Sequence, residues 1–203
     1  MPPVSVNPDD VLAFKSAKAL EAWYRKNHDK APELWLRVFK TGSDIASVTI
    51  NEALDIALCW GWIDAIRKSY DDDSYLQRYT PRGRKSNWSQ RNREHIARLI
   101  DEGRMTVHGH AQVEAAKADG RWERAYAGSR NMEFPADLMA AIEAEPDALA
   151  MFETLTAQNR FALAFRLGSL KTEVARQRNI EKYVAMPRRG ETIYPQARGR
   201  KPA

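Results

Sequence analysis

The stretch at residues 62–80, WIDAIRKSYDDDSYLQRYT, decides the fold class of this chain. Two runs within it, residues 62–70 and 75–80, are rich in the aromatic and β-branched side chains that strands prefer. Residues 71–74, Asp-Asp-Asp-Ser, separate these runs and favour a tight turn. The pattern therefore predicts a β-hairpin, which Pro81 ends because a proline nitrogen cannot donate to a sheet ladder.

The sequence before the hairpin supplies a further strand and two helices. Residues 33–40 carry aliphatic side chains at every second position, which is the pattern of a strand. Ser16 can cap a helix, and Thr49 with Glu52 forms the Thr-x-x-Glu capping box of a second helix. Gly61 suits the C′ position that follows this second helix.

The predicted fold class is α+β, a small, mainly antiparallel sheet with packed helices plus a C-terminal helical module. Residues 11–14 are expected to form a short strand, and further helices are expected to end near residues 102 and 118. From Pro135 onward the chain has helical spacing, and all six tryptophans precede residue 123. The predicted domains are an α+β domain at 1–127, a helical module at 128–190 and a disordered basic tail at 191–203.

Length and composition indicate a globular protein. The 203 residues can bury a substantial core, and a hydrophobic content of 43% is too high for a disordered chain. Cys59 is the only cysteine, which excludes an internal disulfide and suits a reducing compartment. The first residues lack the features of a secretory signal, and no apolar run reaches the roughly 20 residues of a membrane helix. We therefore expect a cytoplasmic protein without a membrane span.

Positive charge is concentrated in two segments. Residues 74–98 contain seven basic side chains against one acidic, and residues 188–203 contain five against one, although the whole chain has a net charge of only +5. The tetrapeptide Arg-Gly-Arg-Lys occurs in both segments, at 82–85 and at 198–201. The second copy resembles the core of an AT-hook, in which an extended Arg-Gly-Arg lies in a narrow minor groove. One hypothesis is therefore a nucleic-acid-binding tail, with contacts from Arg198, Arg200 and Lys201.

Residues 59–92 contain the most unusual combination of side chains. If the hairpin forms, three pieces converge at one end of the sheet: residues 59–64, 78–82 and 86–92. There the arginines would bind negative charge, a tryptophan would stack, and serine and asparagine would orient a ligand. We therefore predict a site for an anionic or phosphate-bearing small ligand. Its candidate residues are Trp62, Asp64, Arg78, Arg82, Ser86, Trp88, Ser89 and Asn92.

These residues also have a structural interpretation. Trp62 and Trp88, like Trp60, are equally suited to a core between sheet and helices. Asp64 suits a general base, or an ion pair that orients an arginine across the hairpin, which would be Arg78 or Arg82.

The sequence contains no convincing catalytic or metal centre. Cys59 lies among apolar residues at a helix end and is better explained as a buried structural thiol than as a nucleophile. His108 and His110 have no third ligand near them in the sequence, and His28 and His95 are isolated. We expect no metal and no cofactor, and an enzyme of unknown reaction is the least favoured hypothesis.

Six short motifs are characteristic when they are taken together. They are Glu52-Ala53-Leu54-Asp55, Cys59-Trp60-Gly61-Trp62-Ile63-Asp64, Thr80-Pro81-Arg82, Ser86-x-Trp88-Ser89-x-x-Asn92, Gly103-Arg104-Met105 and Ala116-Lys117-x-Asp119-Gly120-x-Trp122. In these motifs the chain resembles the bacterial YdeI/OmpD-associated proteins, also labelled bacteriocin-protection proteins. The C-terminal helices resemble the separate small domain of that family, so the resemblance extends to about residue 190. It implies a role in envelope stress or bacteriocin resistance and supplies no catalytic residue. A protein partner bound by the C-terminal helices is also left open.

Overall fold

The structure is a computed structural model that describes residues 6–126, 133–170 and 172–196. The chain forms two compact units, which meet in the sequence between Ala125 and Tyr126. We call residues 1–125 the first unit and residues 126–203 the second unit. The fold class predicted from the sequence is confirmed, since a four-stranded mixed sheet with helices is followed by an all-helical region.

The first unit contains a sheet with the strand order β1-β2-β4-β3. The first two strands pair in parallel, and the other two pairings are antiparallel. The hairpin predicted at 62–80 is β3 and β4, and a short 3-10 helix, Pro8–Asp10, precedes β1. The strands are β1 (Val11–Leu12), β2 (Leu34–Phe39), β3 (Trp62–Ser69) and β4 (Ser74–Pro81).

Pro81 is itself part of β4 and does not lie outside the strand. It is the last residue of the strand and lies opposite Trp62, the first residue of β3. The next residue continues the pairing, because the Arg82 N–H donates to the Gly61 carbonyl over 3.0 Å. A proline is tolerated at this terminal position since it removes only one donor from the ladder.

Four helices complete the described part of the first unit, and two of them begin at the predicted caps. Ser16 accepts the Ala19 N–H, and Thr49 and Glu52 form both bonds of the capping box. Gly61 has a φ of +75°, the left-handed conformation that turns the chain from helix to strand. These helices are α1 (Ala17–Asn27), α2 (Ile50–Cys59), α3 (Gln90–Asp101) and α4 (Val107–Ala118).

Two apolar clusters stabilise the first unit. The first joins α1 and α2 to the sheet and includes Leu20, Leu36 and Trp62. The second joins the other face of α2 to α3 and α4 and includes Leu58 and Trp88. Helix α2 therefore lies at the centre of the unit, which explains why seven of its ten residues are buried.

The second unit has its own apolar core within the described residues. Its helices are α5 (Ala136–Glu143), α6 (Pro146–Thr154), α7 (Ala157–Gly168) and α8 (Glu173–Ala185), with a 3-10 helix, Pro187–Arg189, at the end. Leu138, Leu163, Leu167 and Ile180 are among the core residues, and each is at most 5% exposed. No helix in the described residues is long and apolar enough to cross a membrane.

Residues 191–196, which were predicted to begin a disordered tail, are instead attached to the second unit. Asn159 bonds to Tyr194 and to Gln196, and Ile193 packs against the apolar core. The sequence signal was misleading because the segment is polar and contains a proline, whereas its contacts are made thirty-five or more residues away. Residues 197–203, with Arg198, Arg200 and Lys201, lie outside the described residues.

Candidate functional site at the basic turn

The basic tetrapeptide at 82–85 overlaps a β-turn at residues 83–86, which lies between the sheet and α3. The Ser86 N–H donates to the Gly83 carbonyl over 2.9 Å, which closes the turn. Arg84 and Lys85 occupy its two central positions, and both side chains are exposed. The turn therefore presents two adjacent positive charges to solvent.

Arg82 lies beneath this turn, in the interior of the first unit. Its side chain is buried, with only 5% of the residue exposed. Its Nη1 donates to the Asn87 carbonyl over 3.0 Å, and its guanidinium carbon lies 3.7 Å from the centre of the Trp88 ring. A buried guanidinium on an aromatic face is a stabilising arrangement. Arg82 therefore anchors the turn and does not occupy the solvent-facing position that a direct ligand contact requires.

A second arginine fixes the far end of the turn. Arg121, which follows α4, donates from Nη1 to the Ser86 carbonyl over 3.0 Å. Its Nε lies 2.8 Å from a carboxylate oxygen of Asp119, which holds the guanidinium in place. Both ends of the turn are thus tied to the body of the unit by charged side chains whose geometry is set by other contacts.

The start of α3 follows the turn directly. Ser89 is the N-cap, and its Oγ accepts the Asn92 N–H over 3.1 Å. Trp88 is 1% exposed, and its ring meets the Trp122 ring edge-on at 4.8 Å. Ser86, Trp88, Ser89 and Asn92 thus lie close together at the start of α3.

The remaining predicted residues do not join this cluster. Trp62 lies in the core, and its indole N–H donates to the His28 carbonyl over 3.1 Å. Arg78 pairs with Glu33 rather than with Asp64, through an Nε–Oε2 hydrogen bond of 2.7 Å and a second, shorter contact. Asp64 lies exposed on β3. The hypothesis that Asp64 orients Arg78 is therefore wrong, because Glu33 is the carboxylate that Arg78 contacts.

A charged network between α2 and α3 was not predicted from the sequence. Asp55 is 8% exposed and accepts from two side chains of α3: His95 Nδ1 at 2.7 Å and Arg98 Nη2 at 2.7 Å. Arg98 also contacts Glu102, which in turn contacts Arg104, each at 2.9 Å. His95 seemed isolated because its partner is forty residues away. The available signal was an aspartate on the apolar face of α2, which requires a partner when it is buried.

The pKa of Asp55 reflects this network. Burial acts to raise the pKa of this carboxyl. The hydrogen bonds and positive charges of Arg98 and His95 outweigh burial and hold the pKa below its usual range. Asp55 is therefore a charged acceptor that joins two helices.

Cys59 is buried, as predicted. It is 4% exposed, and burial raises its pKa to about 11. The thiol is therefore protonated near neutral pH, which argues against a nucleophilic role.

The imidazole rings of His28 and His108 meet beside Trp60. The two ring centres are 4.0 Å apart, and the Trp60 ring stacks on His108 at 5.7 Å. No group of three or more His, Cys, Asp or Glu side chains in the described residues is placed to hold a metal ion.

Taken together, the chain combines an α+β unit that carries a basic turn with a separate helical unit. Residues 131–190 match the family model described as Bacteriocin-protection, YdeI or OmpD-Associated, and residues 12–112 match the model described as Domain of unknown function (DUF8412). Residues 131–190 are thus similar to the domain that defines the YdeI/OmpD-associated family. The resemblance is thus confirmed there, whereas most of the motifs quoted for it lie in the region of the second model. Searches of curated proteins and of solved structures gave no match.

Proposed function

We propose that this protein binds a phosphate-bearing anion at the basic turn, without catalysing a reaction. Arg84 and Lys85 supply the charge, and the first turn of α3 lies directly beyond. The observation that carries the proposal is the burial of Arg82 under the turn. The guanidinium of Arg82 bonds to the Asn87 carbonyl and so keeps the backbone beside the turn in one conformation.

Pre-organisation explains why this arrangement suits an anion. The backbone of a closed turn is already ordered, so binding by its two central side chains orders those side chains alone. The free N–H groups at the start of a helix also favour negative charge. Ser89 already satisfies one of these groups, the Asn92 N–H, so the side chains of the turn make the main contribution.

The test is binding of inorganic tripolyphosphate, and of a short single-stranded oligonucleotide, to the full chain and to its R84A/K85A variant. We expect the variant to bind about 10- to 100-fold more weakly, because the two lost contacts together contribute about 1.4–2.8 kcal/mol at exposed side chains. The matched control is R25A/K26A, which removes an adjacent, exposed Arg-Lys pair from α1. Equal binding by the two variants would exclude the turn as the site.

The oligonucleotide distinguishes a second candidate function, nucleic-acid binding. The repeated Arg-Gly-Arg-Lys sequence favours this candidate, since its second copy adds Arg198, Arg200 and Lys201. A steep loss of affinity with salt, and a further loss when the chain is ended after Gln196, are expected for nucleic acid. Tripolyphosphate binding should not depend on residues 197–203.

The family description suggests a role in bacteriocin protection. If anion binding underlies that role, cells that carry R84A/K85A will survive a bacteriocin less well than cells that carry R25A/K26A. Equal survival would separate the anion site from protection.

A further inference from the structure

Residues 191–196 contact the rest of the second unit in the way that a bound peptide contacts its receptor protein. We call these residues the C-terminal segment and the surface beneath them the groove. Asn159 in α7 is 1% exposed and forms two bonds to the main chain of Tyr194. Its Oδ1 accepts the Tyr194 N–H over 2.8 Å, and its Nδ2 donates to the Tyr194 carbonyl over 3.1 Å. Both bonds are made to the backbone of an extended residue, so they do not depend on the side chain at position 194.

Gln196 adds a contact that does depend on the side chain. Its Oε1 accepts the Thr156 N–H over 3.0 Å and the Asn159 Nδ2 over 2.7 Å. Its Nε2 donates to the Thr154 carbonyl over 3.1 Å. Only an amide of this length offers a donor and an acceptor in this arrangement, so the groove is specific for glutamine here.

An apolar site accompanies these polar contacts, and Ile193 does not fill it. Ile193 packs against the core of the second unit. A cavity of about 20 Å³ remains between Ile193, Met186 and Met151. That volume is close to the space of one water molecule, so a somewhat larger apolar side chain would fit.

The C-terminal segment is held by few apolar contacts. Tyr194 remains 40% exposed, with Arg166 5.7 Å from its ring centre. Gly190, with a φ of +63°, connects the segment to the preceding 3-10 helix. If the segment left, Asn159 Oδ1 would lose the Tyr194 N–H, and its Nδ2 would keep the longer contact to Thr156 Oγ1, at 3.4 Å. The groove therefore offers hydrogen-bonding groups to any extended backbone that replaces the segment, and that backbone need not be covalently attached.

We infer that the groove is a peptide-binding site whose partner is an extended segment of another protein. The segment of the partner protein carries a large apolar residue and, three positions later, a glutamine. The C-terminal segment of this chain occupies the groove when that partner is absent. A partner that fills the cavity gains apolar burial that Ile193 lacks, and its backbone reproduces the bonds to Asn159. This inference is independent of the proposed anion site.

The test uses the full chain and a fluorescent peptide of sequence ETIYPQ, together with its I193F form. Fluorescence anisotropy is measured with the wild-type chain and with I193A/Q196A, in which the attached segment is weakened. We expect I193A/Q196A to bind the I193F peptide about tenfold more tightly than the wild-type chain does. Adding N159A, or changing the glutamine of the peptide to glutamate, should abolish binding.

Two further measurements keep the inference open to refutation. Circular dichroism shows whether I193A/Q196A is folded; if it is not, cleavage engineered between Gly190 and Glu191 leaves the segment in place for exchange with the labelled peptide. A folded chain that binds neither peptide would overturn the inference. A dimer of the wild-type chain that exchanges its own segments would also overturn it, because the partner would then be a second copy.

Discussion

Arg82 was expected to contact a ligand, but its role in the structure is to stabilise the fold. In the sequence it is one of seven basic side chains between residues 74 and 98, which favours a ligand contact. In the structure it lies beneath the turn, between Trp88 and the Asn87 carbonyl. The difference could not be seen in the sequence because burial depends on α3 and α4, which pack around Trp88.

This burial predicts a large effect of Arg82 on stability. R82A removes the cation from the Trp88 ring and leaves the Asn87 carbonyl without its donor, so we expect a loss of about 2–3 kcal/mol. R82K should recover little, because an ammonium group cannot both stack and donate in this geometry. Urea unfolding measures the difference. The exposed R84A is the control and should stay within about 0.5 kcal/mol of the wild type.

Asp55 predicts a dependence of stability on pH. Its pKa is lower in the folded chain than in the unfolded chain, so the folded state holds fewer protons on this group. The resulting stabilisation is present above the ordinary carboxyl pKa of about 4 and is lost as the pH falls through the lower, folded value.

We expect D55N to remove this contribution. The variant should be less stable than the wild type by roughly 1–2 kcal/mol at pH 7, because Asn accepts more weakly from Arg98 and His95. The difference should shrink as the pH is lowered below 4, and urea unfolding across pH 2–7 measures it. A difference that stays constant over that range would show that the charge of Asp55 does not stabilise the fold.

At the scale of elements, features defined by neighbouring residues were predicted well, whereas pairings between distant residues were not. The hairpin and the capping box of α2 were found because each is defined within a few residues. The ends of α3 and α4, predicted near residues 102 and 118, were found in the same way. The parallel pairing of β1 with β2 could not be predicted, since it joins residues more than twenty positions apart.

The approach of α4 to α2 predicts the effect of a substitution at Gly109. A Cβ there would lie 2.5 Å from the Cys59 carbonyl oxygen and 2.8 Å from that of Leu58, so α4 would have to move. G109A should destabilise the chain by about 1–3 kcal/mol, although alanine favours helix.

Gly168 provides the matched control in thermal unfolding. It is the last residue of α7, and a Cβ there would meet nothing within 4 Å. G168A should therefore be neutral or stabilising by up to about 1 kcal/mol. If both alanine variants behave alike, the close packing of α4 on α2 does not limit the choice of residue at position 109.

At the scale of the whole molecule, the chain has two units with separate cores. All six tryptophans lie in the first unit, between residues 23 and 122. Tryptophan fluorescence therefore reports unfolding of the first unit, whereas far-ultraviolet circular dichroism reports both units.

Two truncations exploit this difference. Ending the chain after Gln196 keeps every described contact of the C-terminal segment, so both signals should match those of the full chain. Ending it after Gly190 removes Ile193 from the core and removes the bonds of Asn159 to Tyr194 and Gln196. The second unit should then lose roughly 2–4 kcal/mol, from lost apolar burial and from the lost hydrogen bonds of Asn159. The dichroism transition should shift to lower temperature while the fluorescence transition stays in place. A fluorescence transition that shifts equally would instead show that the two units unfold as one.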